Sequence, residues 1–142
     1  MVKISKLSLI NMQIFNTEAS IRELNGTLYE QRMNLDRLEK TYIDLQRSQT
    51  EFQQYKNLCT TPRLSNHTLH GRLARDFESF QESEIEVSYQ SISKKQLDSI
   101  LQQLKNEIQS IKQSITSIEG NISFRESKLS GLRDQRRKEL MA

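Results

Sequence analysis

The sequence predicts an all-α protein built as a long antiparallel helical hairpin of the coiled-coil type. Apolar residues recur every three or four positions over most of the chain, which is the spacing of one helix face. Helix breakers are scarce, with four Gly and one Pro in 142 residues. Only 35% of the residues are hydrophobic, which suits a chain that buries one stripe per helix rather than a broad core.

Composition excludes several other classes. One Cys rules out a disulfide framework, and two His are too few for a Cys/His zinc site. No apolar run approaches the ~18 residues of a membrane span. The 21 basic and 18 acidic residues interleave along both halves, as on a solvated helical surface. We therefore expect a non-enzymatic protein with no catalytic residues, metal or cofactor, no nucleic acid partner and no membrane insertion.

The first helix is predicted over about residues 3–58. Its apolar residues occupy the a and d positions of a heptad repeat from Leu7 to Phe52. Sustained heptads are typical of coiled-coil packing, in which these positions form the seam between helices. The seam of the first helix is represented by Leu24, Leu28, Leu35 and Leu38.

The loop is predicted over about residues 59–71. It contains the only Pro and a cluster of Ser, Thr and Asn that ends at Gly71, and such clusters interrupt helices. A single short loop between two periodic helices favours an antiparallel arrangement. A turn near residue 65 would place Leu7 near Ile122 and Leu28 near Gln102.

The second helix is predicted over about residues 72–138, so that residues 1–142 form one domain. We expect a kink or interruption near residues 85–93, where β-branched residues occur without a clean heptad. Ile at successive a and d positions favours more than two strands in parallel coiled coils, which suggests that further helices join. The seam of the second helix comprises Leu104, Ile108, Ile111, Ile115, Ile118 and Ile122.

A second apolar stripe on the first helix has its centre about 150° from the seam. It could consist of scattered surface hydrophobes, which need no partner. It could equally be a docking face for another helix, because Met adapts its shape and Gly permits close approach. This partner-binding face consists of Met12, Phe15, Ala19, Gly26, Tyr29 and Met33.

The segment around the loop resembles a known family. Residues 64–80 read LSNHTLHGRLARDFESF, with a turn at His70 and Gly71 followed by Ala74 and Phe77. This is similar to the turn of WXG100-type helical hairpins, where a Trp-x-Gly turn precedes an Ala and a Phe. The whole chain resembles more closely the small helical-hairpin proteins encoded beside LXG-domain toxins of type VII secretion.

That resemblance implies a targeting factor or chaperone that binds the N-terminal helical domain of an LXG toxin and supports its export. It also implies a second small helical protein in the complex. The chain departs from the WXG100 pattern, since Trp is absent and Phe124 is followed four residues later by Lys128 rather than by an acid. A partner would therefore supply or complete the export signal.

Polar residues such as Asn11 and Gln13 interrupt the N-terminal apolar residues, so we expect no cleavable signal peptide. The protein would then be cytoplasmic when made, and its export together with its cargo stays open.

Two other functional classes also stay open. A stalk or escort protein of a flagellar or type III secretion export ATPase shares the length, charge and heptads, and binding to an ATPase ring would favour it. The second of these classes is a structural or nucleic-acid-associated coiled coil. A secretion partner should instead form a homo-oligomer when expressed alone and a stable complex with its helical partners.

Overall fold

A computed structural model describes residues 5–60 and 71–142. The described residues form helices and no strand, which confirms the all-α helical hairpin. The first arm is a single α-helix that ends in a 3-10 segment, and the second arm alternates between α-helical and π-helical segments. In chain order these are α1 (Lys6–Gln54), a 3-10 segment (Tyr55–Thr60), α2 (Gly71–Phe80), a first π segment (Gln81–Ile85), α3 (Glu86–Gln90), a second π segment (Ser91–Gln96) and α4 (Leu97–Met141).

The heptad positions face inward along both arms. In the first arm Leu28 is buried, while Leu24, Leu35 and Leu38 are half-buried. In α4 Ile122 is buried, while Leu104, Ile108, Ile111, Ile115 and Ile118 are half-buried. The apolar residues spaced by three and four positions therefore lie on the side of each helix that is shielded from solvent.

The described chain divides into two compact units. The first unit contains residues 1–37 and 109–142. Its core cluster consists of Ile10, Ile14, Leu129 and Leu132, with Ile21 packed against it. Residues from the start of α1 thus pack against residues from the end of α4, as expected for antiparallel helices.

Ion pairs between α1 and α4 fix the register of the first unit. The ammonium of Lys6 lies 3.3 Å from a carboxylate oxygen of Glu139. Glu18 and Arg133 are 3.1 Å apart, and Arg32 and Glu119 are 3.3 Å apart. The predicted register, with Leu7 near Ile122 and Leu28 near Gln102, is therefore wrong.

The second unit, residues 38–108, explains that error. Its 3-10 segment contacts the first π segment and α3. The ammonium of Lys56 lies 3.6 Å from a carboxylate oxygen of Glu86. Residues 56 and 86 have their midpoint at residue 71, six residues beyond the predicted turn near residue 65. The pairing of the two arms is therefore shifted from the predicted register.

The π segments change the spacing of inward-facing residues on the second arm. Seven residues separate Ala74 from Gln81, and also Leu97 from Leu104. Eight residues separate Gln81 from Tyr89, and also Tyr89 from Leu97. A π turn takes up one residue more than an α turn, so each π segment shifts the pattern by one position. The expected interruption near residues 85–93 thus takes the form of two π segments flanking α3.

Candidate partner-binding site

Large apolar side chains are exposed along one side of α1 in the first unit. The exposed fractions are 53% for Met12, 65% for Phe15, 66% for Tyr29 and 40% for Met33. At 3.6 residues per turn these positions share one helix face. That face points away from Ile14 and the other buried residues of α1. The described part of the chain therefore leaves the predicted partner-binding face accessible.

Small residues lie between the large ones on this face. Ala19 is half-buried and Gly26 is exposed. A Cβ atom added at Gly26 would meet no atom within 4 Å, so packing within the described hairpin does not require a glycine there. Glycine inside a helix costs about 0.5–1 kcal/mol relative to Ala. The close approach that Gly26 permits is therefore not used by the described residues of this chain.

Charged residues lie both within this face and beside it. Arg22 is exposed between Ala19 and Gly26. The carboxylate of Glu18 is engaged by Arg133 on α4, and the guanidinium of Arg32 is engaged by Glu119. These ion pairs hold α1 against α4 and leave the apolar face to interact with something else.

The predicted turn motif is only partly within the described residues, since His70 lies outside them. Gly71 has a φ of +67°, a left-handed conformation that glycine adopts without steric cost. A Cβ at Gly71 would meet no described atom within 4 Å, so backbone conformation rather than crowding explains the glycine. Ala74 is buried and Phe77 is 39% exposed.

The second unit has a shallow groove that the sequence pattern did not predict. Phe80 is 51% exposed, and Ile85 and Ile92 are each more than one-third exposed. These apolar residues do not follow a heptad because the π segments intervene, so no periodic signal marked them. The groove encloses about 440 Å³ and is lined by Phe80, Glu84, Ile85, Ser88, Tyr89 and Ile92.

An aromatic pair borders this groove. The rings of Phe52 and Tyr89 lie 4.8 Å apart between centroids and are tilted by 30°, within the range that aromatic pairs prefer. Burial, with a smaller contribution from the charge on Cys59, raises the pKa of the Tyr89 phenol above its ordinary value of 10.0. The neutral phenol is therefore the form that suits this packing.

Large apolar side chains are exposed on two of the described surfaces, the face of α1 and the groove of the second unit. Among residues 5–60 and 71–142, no group of three or more His, Cys, Asp or Glu side chains is placed to hold a metal ion. None of the described helices combines the length and the apolar character needed to span a bilayer.

These features define a class of protein, the coiled-coil helical hairpin with an uncovered apolar face on its first helix. The chain belongs to the YwqH-like family, whose sequence profile matches residues 6–134. Searches of curated proteins and of solved structures returned no match.

Proposed function

We propose that the protein is a non-enzymatic helical partner of a type VII secreted LXG toxin. In this role it binds the N-terminal helical domain of the toxin and acts as a targeting factor or chaperone for export. The observation that carries the proposal is the exposed face of α1, with Phe15 and Tyr29 both about two-thirds exposed. Membership of the YwqH-like family and the resemblance of the whole chain to LXG partners support the choice of cargo.

The physical basis is burial of the apolar face by a helix of the toxin. Removing apolar surface from water contributes about 25 cal/mol per Å², and Phe and Tyr present more area than the other residues of the face. Met12 and Met33 at its ends have unbranched, flexible side chains that can fit a partner of irregular shape. Ala19 and Gly26 let the backbone of the partner helix approach closely near the middle.

Two residues near the C-terminus support a complex in which a partner supplies part of the export signal. Phe124 is 72% exposed on α4. Lys128, also exposed, takes the place at which a WXG100-type signal has an acid. In the proposed complex the toxin, or a second small helical protein, provides the acidic residue of the export signal.

Co-purification tests this proposal directly. The chain is co-expressed with the N-terminal helical domain of an LXG toxin, and the complex is captured through a tag on the toxin domain. The double variant Phe15→Glu/Tyr29→Glu should lose the complex, because it places two charges within the buried contact. Circular dichroism should show unchanged helix content, because both residues are exposed on the hairpin.

A matched control adds the same charges elsewhere on the helix. Asn25 and Asn34 are exposed on α1 to either side of the apolar face. The double variant Asn25→Glu/Asn34→Glu should therefore retain the complex. Equal recovery of toxin with both double variants, or no complex with the unaltered chain, would overturn the proposal.

A further inference from the structure

The groove of the second unit belongs to a longer series of exposed apolar side chains on the second arm. Each of these residues is more than one-third exposed, and together they form the second-arm stripe: Leu73, Phe77, Phe80, Ile85 and Ile92. Their spacings are four, three, five and seven residues. Spacings of three, four and seven keep to one helix face, and the spacing of five falls across the first π segment, which takes up one extra residue. The second-arm stripe is therefore continuous along about 28 Å of helix.

Glu84 places one negative charge in this apolar surface. It is the only charged residue among those that line the groove, and its side chain is exposed. Other acids nearby have partners, since Glu86 is paired with Lys56 and Asp76 is paired with Arg72. By contrast, no described residue forms an ion pair with Glu84. Its carboxylate is therefore available to a cation from another molecule.

The sequence around the groove is acidic. Residues 76–93 contain five acidic residues and no Lys or Arg, although the whole chain has a net charge of +3. Lys94 and Lys95 follow this stretch, and neither lines the groove. Charges act on one another within about 10 Å at 0.1 M salt. A cationic partner is therefore attracted to this part of an otherwise basic chain.

The shape of the groove favours a helix as its occupant. The groove is shallow and is lined by residues of the second arm alone. It would cover a small molecule on one side only, whereas small-molecule sites enclose most of their ligand. A helix laid along the second-arm stripe would contact it over its whole length, as amphipathic helices do in apolar grooves.

We propose that the groove of the second unit docks an amphipathic helix that carries Lys or Arg beside its apolar residues. The apolar residues of that helix cover Phe80, Ile85 and Ile92. One of its cations pairs with Glu84, and the acidic sequence on either side of Glu84 favours the approach of the other cations. Val87, which is also exposed, does not line the groove and stays outside this contact.

This site is separate from the exposed face of α1. The groove lies in the second unit, whereas Phe15 and Tyr29 lie in the first. The inference does not rest on the proposed function, because it names the chemistry of a helix and makes no use of the toxin. One chain then presents surfaces for two different helices.

Peptide binding tests the inference. The probe is a fluorescent peptide of Leu and Lys, about 18 residues long, with Leu at the spacing of one helix face. A matched peptide carries Glu at every Lys position. Fluorescence anisotropy with the full chain should show binding of the Lys peptide that is at least about tenfold tighter than that of the Glu peptide. Equal affinities for the two peptides would overturn the inference.

Two charge reversals distinguish a local ion pair from a general effect of net charge. Glu84→Lys should weaken binding of the Lys peptide at least about fivefold and tighten binding of the Glu peptide. Glu126→Lys makes the same change in net charge at an exposed position of α4 in the first unit. It should leave both affinities nearly unchanged, so equal effects of the two variants would contradict the role of Glu84.

The apolar contact has its own pair of variants. Phe80→Ala should weaken binding of the Lys peptide about tenfold. Phe124→Ala removes the same side chain at an exposed position of α4 and should have little effect. Circular dichroism should show equal helix content for both variants, because each ring is at least half exposed. Undiminished binding by Phe80→Ala would show that the peptide lies elsewhere, and the inference would fail.

Sedimentation of the full chain examines the remaining occupant, a second copy. If the chain alone forms an oligomer that Phe80→Ala dissociates, then a second copy fills the groove and the inference is wrong. The two proposals also fail separately. A toxin complex without peptide binding refutes only this inference, and peptide binding without a toxin complex refutes only the proposed function.

Discussion

The side-chain amide of Gln49 on α1 donates a hydrogen bond of 2.6 Å to the backbone carbonyl oxygen of Ser93, in the second π segment. The same amide donates to Asp98 at 2.5 Å. A change from α-helical to π-helical bonding alters which amide each carbonyl can accept, and side chains can bond to the ladder at such points. Gln49 is a polar residue at a seam position of α1, and its amide satisfies a carbonyl in the π-helical part of the opposite arm.

Replacing Gln49 should destabilise the fold by about 1–2 kcal/mol. Gln49→Leu is tolerated by the apolar seam, but it removes the donor from the partly buried carbonyl of Ser93, and an unsatisfied polar group costs this much. Urea denaturation followed by circular dichroism measures the loss. Gln53→Leu makes the same change at an exposed position of α1 and should cost little, so equal losses would contradict this role of Gln49.

The same substitution should have opposite effects at two glycines. Gly71→Ala should destabilise the protein by about 1 kcal/mol, because Ala resists the left-handed conformation. Gly131→Ala on α4 should stabilise it by about 0.5–1 kcal/mol, because Ala is the better helix former and meets no atom within 4 Å. Thermal denaturation of both variants checks the signs, and a harmless Gly71→Ala would show that its φ is not restrictive.

Core packing should contribute more to stability than the ion pairs in the first unit. Ile14 is 4% exposed in the core cluster, so Ile14→Ala should cost about 2–4 kcal/mol. Arg133→Gln should cost under about 1 kcal/mol, because its pair with Glu18 is open to solvent. The midpoints and slopes of urea denaturation give both values. A larger loss from Arg133→Gln than from Ile14→Ala would overturn this ranking.

Stability should fall at alkaline pH because of Tyr89. Its raised pKa means that the folded state holds the phenolic proton more tightly than the unfolded state does. The resulting stabilisation is full below a pH of about 10, the ordinary pKa of tyrosine, and is lost as pH rises toward the folded-state pKa. Tyr89→Phe should reduce this alkaline loss in urea denaturation, whereas Tyr55→Phe, at an exposed position, should leave it unchanged.

The sequence was a sufficient guide to the helices because solvent exposure along α1 and α4 follows the heptad. Ile10, Ile14 and Leu28 are buried, and Leu35 and Leu38 are half-buried, as their spacing predicts. The exposed face of α1 could also be predicted, because its residues have helical spacing. Phe15 and Tyr29 belong to a second stripe that one partner helix inside the chain cannot cover.

Periodicity predicts neither the register of the two arms nor the groove on the second unit. Periodicity gives the buried side of a helix, but it does not say which residue of the opposite arm lies across from it. Lys56 pairs with Glu86, which places the midpoint of the pairing at residue 71, and nothing in the heptads indicates that value. Phe80 and Ile85 line a groove across a π segment, where a pattern based on α-helical turns no longer applies.

The two π segments each absorb one extra residue, so the direction of the groove depends on how those turns are hydrogen-bonded. If residues 91–96 changed to α-helical turns with no residue removed, the residues before them would rotate by about 100° around the helix axis. Phe80 and Ile85 would then point to another side, with no change in their own chemistry. Deleting one residue from 91–96 would instead let that turn become α-helical with Phe80 and Ile85 kept on their side. A change of backbone hydrogen bonding alone could thus redirect this surface while every side chain is kept.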